Sequence, residues 1–210
     1  MVVKGQHLDL SQIVKHLKKT SIVFLDKKRN QMKPTKIKKL VPDSYRQYLY
    51  NLTTSHAFDW HWFNYSSYDN TDKIGQLVHP LFINGEATSK HYEAFKSLLY
   101  FFEDRTGLQI KNIVKLKVNL KPQTNVYTEE EIDASIHKDM LEDNNFVSIV
   151  YYINDSDGDT VVYDEDKKTI VESMTPTSGS CIYFNSNQWH KATPPKETNK
   201  RLIVNIVVQV

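Results

Sequence analysis

His137-Lys138-Asp139 sets an imidazole and a carboxylate two residues apart, and a second imidazole, His190, follows much later in the chain. In extended chain, residues i and i+2 face the same side, so His137 and Asp139 can converge on one ion while Lys138 points away. Taken alone, a His-x-Asp triplet is more often a polar strand end than a ligand pair. His190 raises its weight. Two imidazoles and one carboxylate can bind a divalent metal on one face of an octahedron and leave the opposite face open, the arrangement of non-haem Fe(II) sites. The same three residue types also suit Zn(II).

Arg201 lies eleven residues after His190, inside the apolar run Arg201-Leu202-Ile203-Val204-Asn205. A charge in a strand interior is costly unless something satisfies it. A guanidinium there can clamp a carboxylate through two parallel hydrogen bonds. An ordinary edge-strand arginine is the plainer alternative, and the metal ligands tip the reading toward the clamp.

The elements that must carry these groups fall into two parts. Residues 9–19 place Leu10, Ile13, Val14 and Leu17 at helical spacing, residues 21–25 read as a strand, and Pro42-Asp43-Ser44 opens a short helix. The firmest helix runs from Ser89 to Glu103, with Ser89 as cap, a stripe of Tyr92, Phe95, Leu98, Leu99 and Phe102, and Gly107 closing it. From residue 110 onward, short runs rich in Val, Ile and Tyr alternate with turns at 112–120, 146–153, 160–164, 168–173, 180–185 and 200–210. That spacing predicts an all-β sandwich or barrel, with Asp157-Gly158 as a tight hairpin turn. Residues 1–110 form a helical or mixed support region and residues 111–210 a β core, one structural domain overall.

The chain has 210 residues, 40% hydrophobic and 25% charged, which suits a globular protein rather than a disordered one. No apolar run reaches the ~18 residues a membrane span needs, and the opening turns polar too soon for a signal peptide. The lone Cys181 cannot pair within the chain, so a reducing, cytoplasmic setting is expected. The net charge of +2 hides an asymmetry: residues 1–40 carry eleven Lys/Arg against Asp9 and Asp26. Such a segment can meet nucleic acid or an acidic partner, but a solvated face is the stronger expectation, since no aromatics are interleaved. The remaining histidines lack partners at ligand spacing. Trp60, Trp62 and Phe63 are expected to be buried under the helices.

In order, His137-x-Asp139, Ile149-Val150-Tyr151-Tyr152-Ile153-Asn154, Gly158-Asp159-Thr160, Gly179, His190 and Arg201 follow one another as in the 2-oxoglutarate/Fe(II)-dependent dioxygenases. The chain resembles the prolyl-4-hydroxylase-like branch. Through residues 115–122 and 171–173 it is similar to small members encoded by viruses of bacteria. The similarity spans about residues 112–210. It departs where Asp157-Gly158-Asp159-Thr160 replaces the more usual Gly-Gly-x-Thr, and in lacking the second arginine of alkylation-repair relatives, which demotes a nucleic-acid substrate.

The resemblance implies a mainly β fold with supporting helices (α+β), built on a double-stranded β-helix or jelly-roll core. It implies Fe(II) held by His137, Asp139 and His190, with 2-oxoglutarate and O2 as co-substrates and ascorbate as accessory reductant. Arg201 and Tyr152 would hold the distal carboxylate of 2-oxoglutarate, and Asn119 would contact the co-substrate. The substrate would be a peptidyl prolyl or other amino-acid side chain, a free amino acid or a small molecule. Two rivals are a non-oxidative, cupin-like metal protein and a non-catalytic jelly-roll binding module using the basic N-terminal segment.

Overall fold

The structure is a computed structural model and describes residues 32–66, 72–141 and 145–210. The chain divides into two units, Met1–Lys33 and Pro34–Val210. The helix expected at 9–19, the strand at 21–25 and most of the basic N-terminal segment lie outside the described residues.

The second unit is built on two antiparallel sheets. The large sheet takes β1 (Thr35–Ile37), β2 (His61–Phe63), β3 (Gln76–Ile83), β4 (Glu86–Ala87), β5 (Asn112–Pro122), β6 (Phe146–Tyr152), β9 (Cys181–Asn185) and β11 (Lys200–Gln209). Its order is β1-β9-β6-β11-β5-β3-β2, with β4 added to β3. The small sheet, in the order β10-β7-β8, holds β7 (Thr160–Tyr163), β8 (Ile170–Met174) and β10 (His190–Ala192). The helices are α1 (Asp43–Thr53), α2 (Tyr92–Thr106) and α3 (Glu129–Asp133). This is the double-stranded β-helix with supporting helices. No helix among the described residues is long and apolar enough to cross a membrane.

Each face of the large sheet has one task. Register aligns Phe82, Leu116, Ile206, Ile149 and Tyr183 across β3, β5, β11, β6 and β9. Tyr92 of α2 stacks on Phe82 and Phe102 meets Tyr183 edge-on, so the apolar stripe of α2 covers this outer face. Gly107 ends α2 in the left-handed conformation at φ 71°, where a side chain is unfavourable. On the inner face Val150, Tyr152, Ile182, Phe184 and Ile203 pack against Val162 and Met174 of the small sheet to form the core between the sheets.

Four expectations need correction. Asp157-Gly158 is not a hairpin turn, because β6 pairs with β9 and β11 while β7 pairs with β8 and β10. The turn carries the chain from one sheet to the other, and the Asp157 carboxylate accepts the amide hydrogens of Lys196, Glu197 and Thr198. Ser89 is not the cap of α2; its hydroxyl oxygen accepts from the His91 amide and bonds the His79 ring, and the helix begins at Tyr92. His137 and Asp139 do not lie in a regular strand; His137 forms a single bridge with His190. Trp62, 57% exposed, and Phe63 lie on the edge strand β2 rather than beneath the helices.

Candidate metal centre and co-substrate pocket

The local fold aims the first histidine. Thr128 and Glu131 form a reciprocal capping box that starts α3, and Ile132 of that helix is buried. The turn that follows is held by Ser135 and Ile136 amides on the Ile132 and Asp133 carbonyls. It presents the Ser135 carbonyl to His137 Nδ1 at 2.8 Å. The His137 and His190 backbones then exchange two hydrogen bonds, 3.0 and 2.9 Å, which ties the distant histidine to the first. His190 Nδ1 faces the Gln188 carbonyl at 3.0 Å. A carbonyl can only accept, so both Nδ1 atoms carry the hydrogen and both Nε2 lone pairs are left for a ligand.

Asp139 completes the cluster. Its Oδ2 lies 3.6 Å from His190 Nε2 and accepts from Ser148 Oγ at 2.6 Å, while Oδ1 pairs with the Lys115 ammonium at 2.5 Å. The ligating atoms of His137, Asp139 and His190 all lie within 4.8 Å of one another. Two imidazoles and one carboxylate gathered this closely are the donor types of a site that holds a dication on one face. The donor set therefore fits a facially bound dication. Burial raises the Asp139 pKa, but Lys115 and the two imidazoles outweigh it and hold the carboxyl ionised.

Burial pushes His137 down to about 4 and lowers His190 as well. Both stay neutral in the folded protein, whereas the unfolded chain protonates them near pH 6.5. The unfolded state then binds more protons, so the histidines' contribution to stability is complete well above pH 6.5 and is lost as the pH drops through 6.5 toward 4. The expected slope is up to about 1.4 kcal/mol per pH unit for each histidine. Urea unfolding of the metal-free protein at several pH values checks it, and a flat profile between pH 7 and 5 would contradict neutral, buried imidazoles.

At the other end of the pocket sits Arg201, only 1% exposed, in the centre of the large sheet. Its Nε donates to the Gly158 carbonyl and its Nη2 to Thr160 Oγ1, both at 2.7 Å. Tyr152 OH donates to the same Thr160 oxygen at 2.8 Å. A hydroxyl oxygen has two lone pairs; with both taken, the Thr160 hydrogen is left to donate elsewhere, and Thr160 lines the pocket. Burial lowers the Arg201 pKa, with Tyr152 and Asp159 acting against it, and pushes Tyr152 up to about 12. A Cβ on Gly158 would come within 2.6 Å of the Thr193 carbonyl oxygen and 2.9 Å of Arg201 Cδ. Gly158→Ala is thus expected to cost about 1–3 kcal/mol of stability and to displace the guanidinium. A lowered Tm and a raised KM for 2-oxoglutarate would show it.

Asn119 is buried on β5, where its Nδ2 donates to Gln76 Oε1 at 2.9 Å and its Oδ1 has no partner. One pocket is lined by His137, Asp139, His190, Thr160, Arg201 and Asn119, with Lys115, Lys117, Lys121, Lys191 and Asn205; Tyr152 reaches it through Thr160. The lysines, Ser148 and Thr160 were not among the residues picked out from sequence. Their signal was the alternation of polar Lys115, Lys117, Asn119 and Lys121 with apolar neighbours, which reads equally well as a solvated strand face. His79 stands apart, its ring held between the Asp59 carbonyl and Ser89.

Residues 122–209 match the family model described as the 2OG-Fe(II) oxygenase superfamily. No curated protein matches the chain in sequence. Solved structures share the fold. An oxidoreductase of the 2OG-Fe(II) oxygenase family from Burkholderia pseudomallei superposes with TM-score 0.63 at 12% identity, covering 98% of this chain and 93% of its own. A Trichoplax adhaerens prolyl hydroxylase, in complex with a hypoxia inducible factor oxygen degradation domain peptide fragment, gives 0.56 at 18% identity, covering 96% and 94%. A Pseudomonas putida prolyl-4-hydroxylase gives 0.55 at 16%, covering 85% and 92%. Residues 122–209 thus match the model of the 2OG-Fe(II) oxygenase superfamily, an enzyme class that uses Fe(II) and 2-oxoglutarate, and the described residues share the fold of a solved structure that carries that description.

Proposed function

We propose that the protein is an Fe(II)- and 2-oxoglutarate-dependent hydroxylase acting on an amino-acid side chain, free or within a peptide. The observation that carries this is the joint placement of His137, Asp139 and His190 at one end of a pocket whose other end holds the buried Arg201. The peptide bound to the Trichoplax relative supports a side chain as substrate.

In this reading His137 and His190 give Nε2 and Asp139 gives Oδ2 to the iron, while Lys115 keeps Oδ1 turned away. Arg201, with the Thr160 hydroxyl that Tyr152 and Arg201 orient, receives the distal carboxylate of 2-oxoglutarate. Asn119 lies along the same wall and contacts the co-substrate through Nδ2, whose other hydrogen goes to Gln76. Bound together, the iron, 2-oxoglutarate and O2 supply the oxidation: 2-oxoglutarate + O2 + R–H gives succinate + CO2 + R–OH. The sheets on either side keep water from the reacting centre.

The test is direct. With Fe(II), the protein should convert 2-oxoglutarate to succinate in the presence of O2, and under anaerobic conditions the two together should give a weak visible charge-transfer band. Zn(II) should give neither. Tight Zn(II) binding with no 2-oxoglutarate turnover under Fe(II) would favour the cupin-like alternative instead.

A further inference from the structure

A buried ion pair is built into the metal centre from outside its ligand set. Lys115 lies on β5, opposite Val207 of β11 on one side and Ile83 of β3 on the other, and its side chain is 8% exposed. Its ammonium meets Oδ1 of Asp139, whose side chain is 2% exposed, at 2.5 Å. Asp139 Oδ2 accepts the Ser148 hydroxyl of β6 at 2.6 Å, and Ser148 also bonds Ser186 Oγ at 2.9 Å. Two strands of the large sheet thus hold the two oxygens of one carboxylate.

Stability does not account for the ion pair. Burying two charges costs the desolvation of both, and a well-packed apolar pair of similar volume often does as well or better. Ligation does not require it either. Two imidazoles and one carboxylate suffice to hold a dication. An ammonium on the far oxygen works against them, because it and the ion then share one negative charge. A unit charge a few ångströms away shifts an equilibrium by well over tenfold at the effective dielectric of protein. The repulsion grows with the charge of the ion, so a trivalent ion is disfavoured more than a divalent one. For iron the two charges are its ferric and ferrous states, related by Fe(III) + e− = Fe(II).

Resting on the reading of His137, Asp139 and His190 as iron ligands, we propose that Lys115 is a positioning residue acting through Asp139. It occupies Oδ1, leaves Oδ2 to the ion, and offsets the charge of the only anionic ligand, so that the centre keeps its iron ferrous. Ser148 steadies the oxygen that ligates.

The test is an anaerobic redox titration of the iron-loaded protein, with mediators poised at an electrode supplying the electron and paramagnetic resonance reading the ferric state. Lys115→Met and Lys115→Gln remove the charge, the second keeping an N–H donor for Oδ1, and Lys115→Arg retains it. Both neutral variants should favour the ferric state at least tenfold more than wild type, a potential lower by about 59 mV or more for a one-electron couple. Lys115→Arg should stay within about threefold of wild type. By calorimetry both neutral variants should bind Mn(II) more tightly than wild type, since the competitor for the carboxylate is gone. A neutral variant that folds only with Mn(II) present shows the same competition. One that folds neither with nor without Mn(II) makes the lysine structural and overturns the proposal. So do a potential unchanged in both neutral variants, a shift in Lys115→Met alone, a shift as large in Lys115→Arg, or weaker Mn(II) binding without the charge. Wild-type protein that binds neither Fe(II) nor Mn(II) overturns the metal centre itself, and with it this inference.

Discussion

Replacing His137 with alanine is expected to abolish 2-oxoglutarate-dependent succinate formation, a loss of at least about a thousandfold, or about 4 kcal/mol of barrier. The ring packs on the His190 ring and makes one hydrogen bond within the protein. Its Nδ1 bonds one backbone carbonyl, and its backbone bridge to His190 does not depend on the side chain. His137→Ala should therefore fold with a near-native Tm while binding Fe(II) weakly. Asp139→Ala should lose activity as completely but behave differently in unfolding. It removes the carboxylate that ion-pairs with the buried Lys115 ammonium and takes one hydrogen-bond partner from Ser148 Oγ, which keeps Ser186. Removing one partner of a buried pair costs about 3–5 kcal/mol. Adding Lys115→Met to Asp139→Ala should restore most of the stability and none of the activity. The pair of variants separates ligation from folding: equal stability losses in His137→Ala and Asp139→Ala would argue that the cluster is structural, and retained succinate formation in either would remove the metal assignment.

Much of this site was legible because its residues break the pattern around them. Arg201 is conspicuous as a charge next to the apolar residues Leu202, Ile203 and Val204, and the structure places it in a central strand, where the two sheets enclose it. The run 112–120 was legible as a strand, yet its face assignment was not. Alternating polar and apolar residues normally mean one face in water. Here both faces are covered, and the polar one lines a pocket. β3 escaped notice for a different reason. Pro80 interrupts its interior, and the structure accommodates it at a register shift between Pro80 and Phe82. The bridge joining His137 to His190 is a contact between residues far apart in the chain, with no local periodicity to announce it. Asp157-Gly158 carried a real turn signal, but turn chemistry alone does not say whether the next strand pairs with the last one or crosses to the facing sheet.

The guanidinium of Arg201 makes the sharper test of how the co-substrate is held. Bonds to the Gly158 carbonyl and Thr160 fix its plane, and the edge left over faces the pocket. Lysine keeps the charge, but its three donors sit on one point and cannot span two protein acceptors and a carboxylate in a plane. Arg201→Lys is expected to raise the KM for 2-oxoglutarate about 10- to 100-fold, the worth of one or two charge-assisted hydrogen bonds, with kcat within a few-fold of wild type. Arg201→Ala should do more. It leaves the Gly158 carbonyl without a donor and opens a void beside Tyr152, so a stability loss of about 2–4 kcal/mol accompanies the loss of binding. Tyr152→Phe, which only frees one lone pair of Thr160, should raise KM less than tenfold. This graded order, Ala above Lys above Phe, follows from geometry in which Arg201 makes the contact and Tyr152 orients the hydroxyl beside it. A KM for 2-oxoglutarate that stays constant across all three variants would mean that the dianion binds elsewhere, and Lys121, opposite Arg201 on β5, would be the next cation to test.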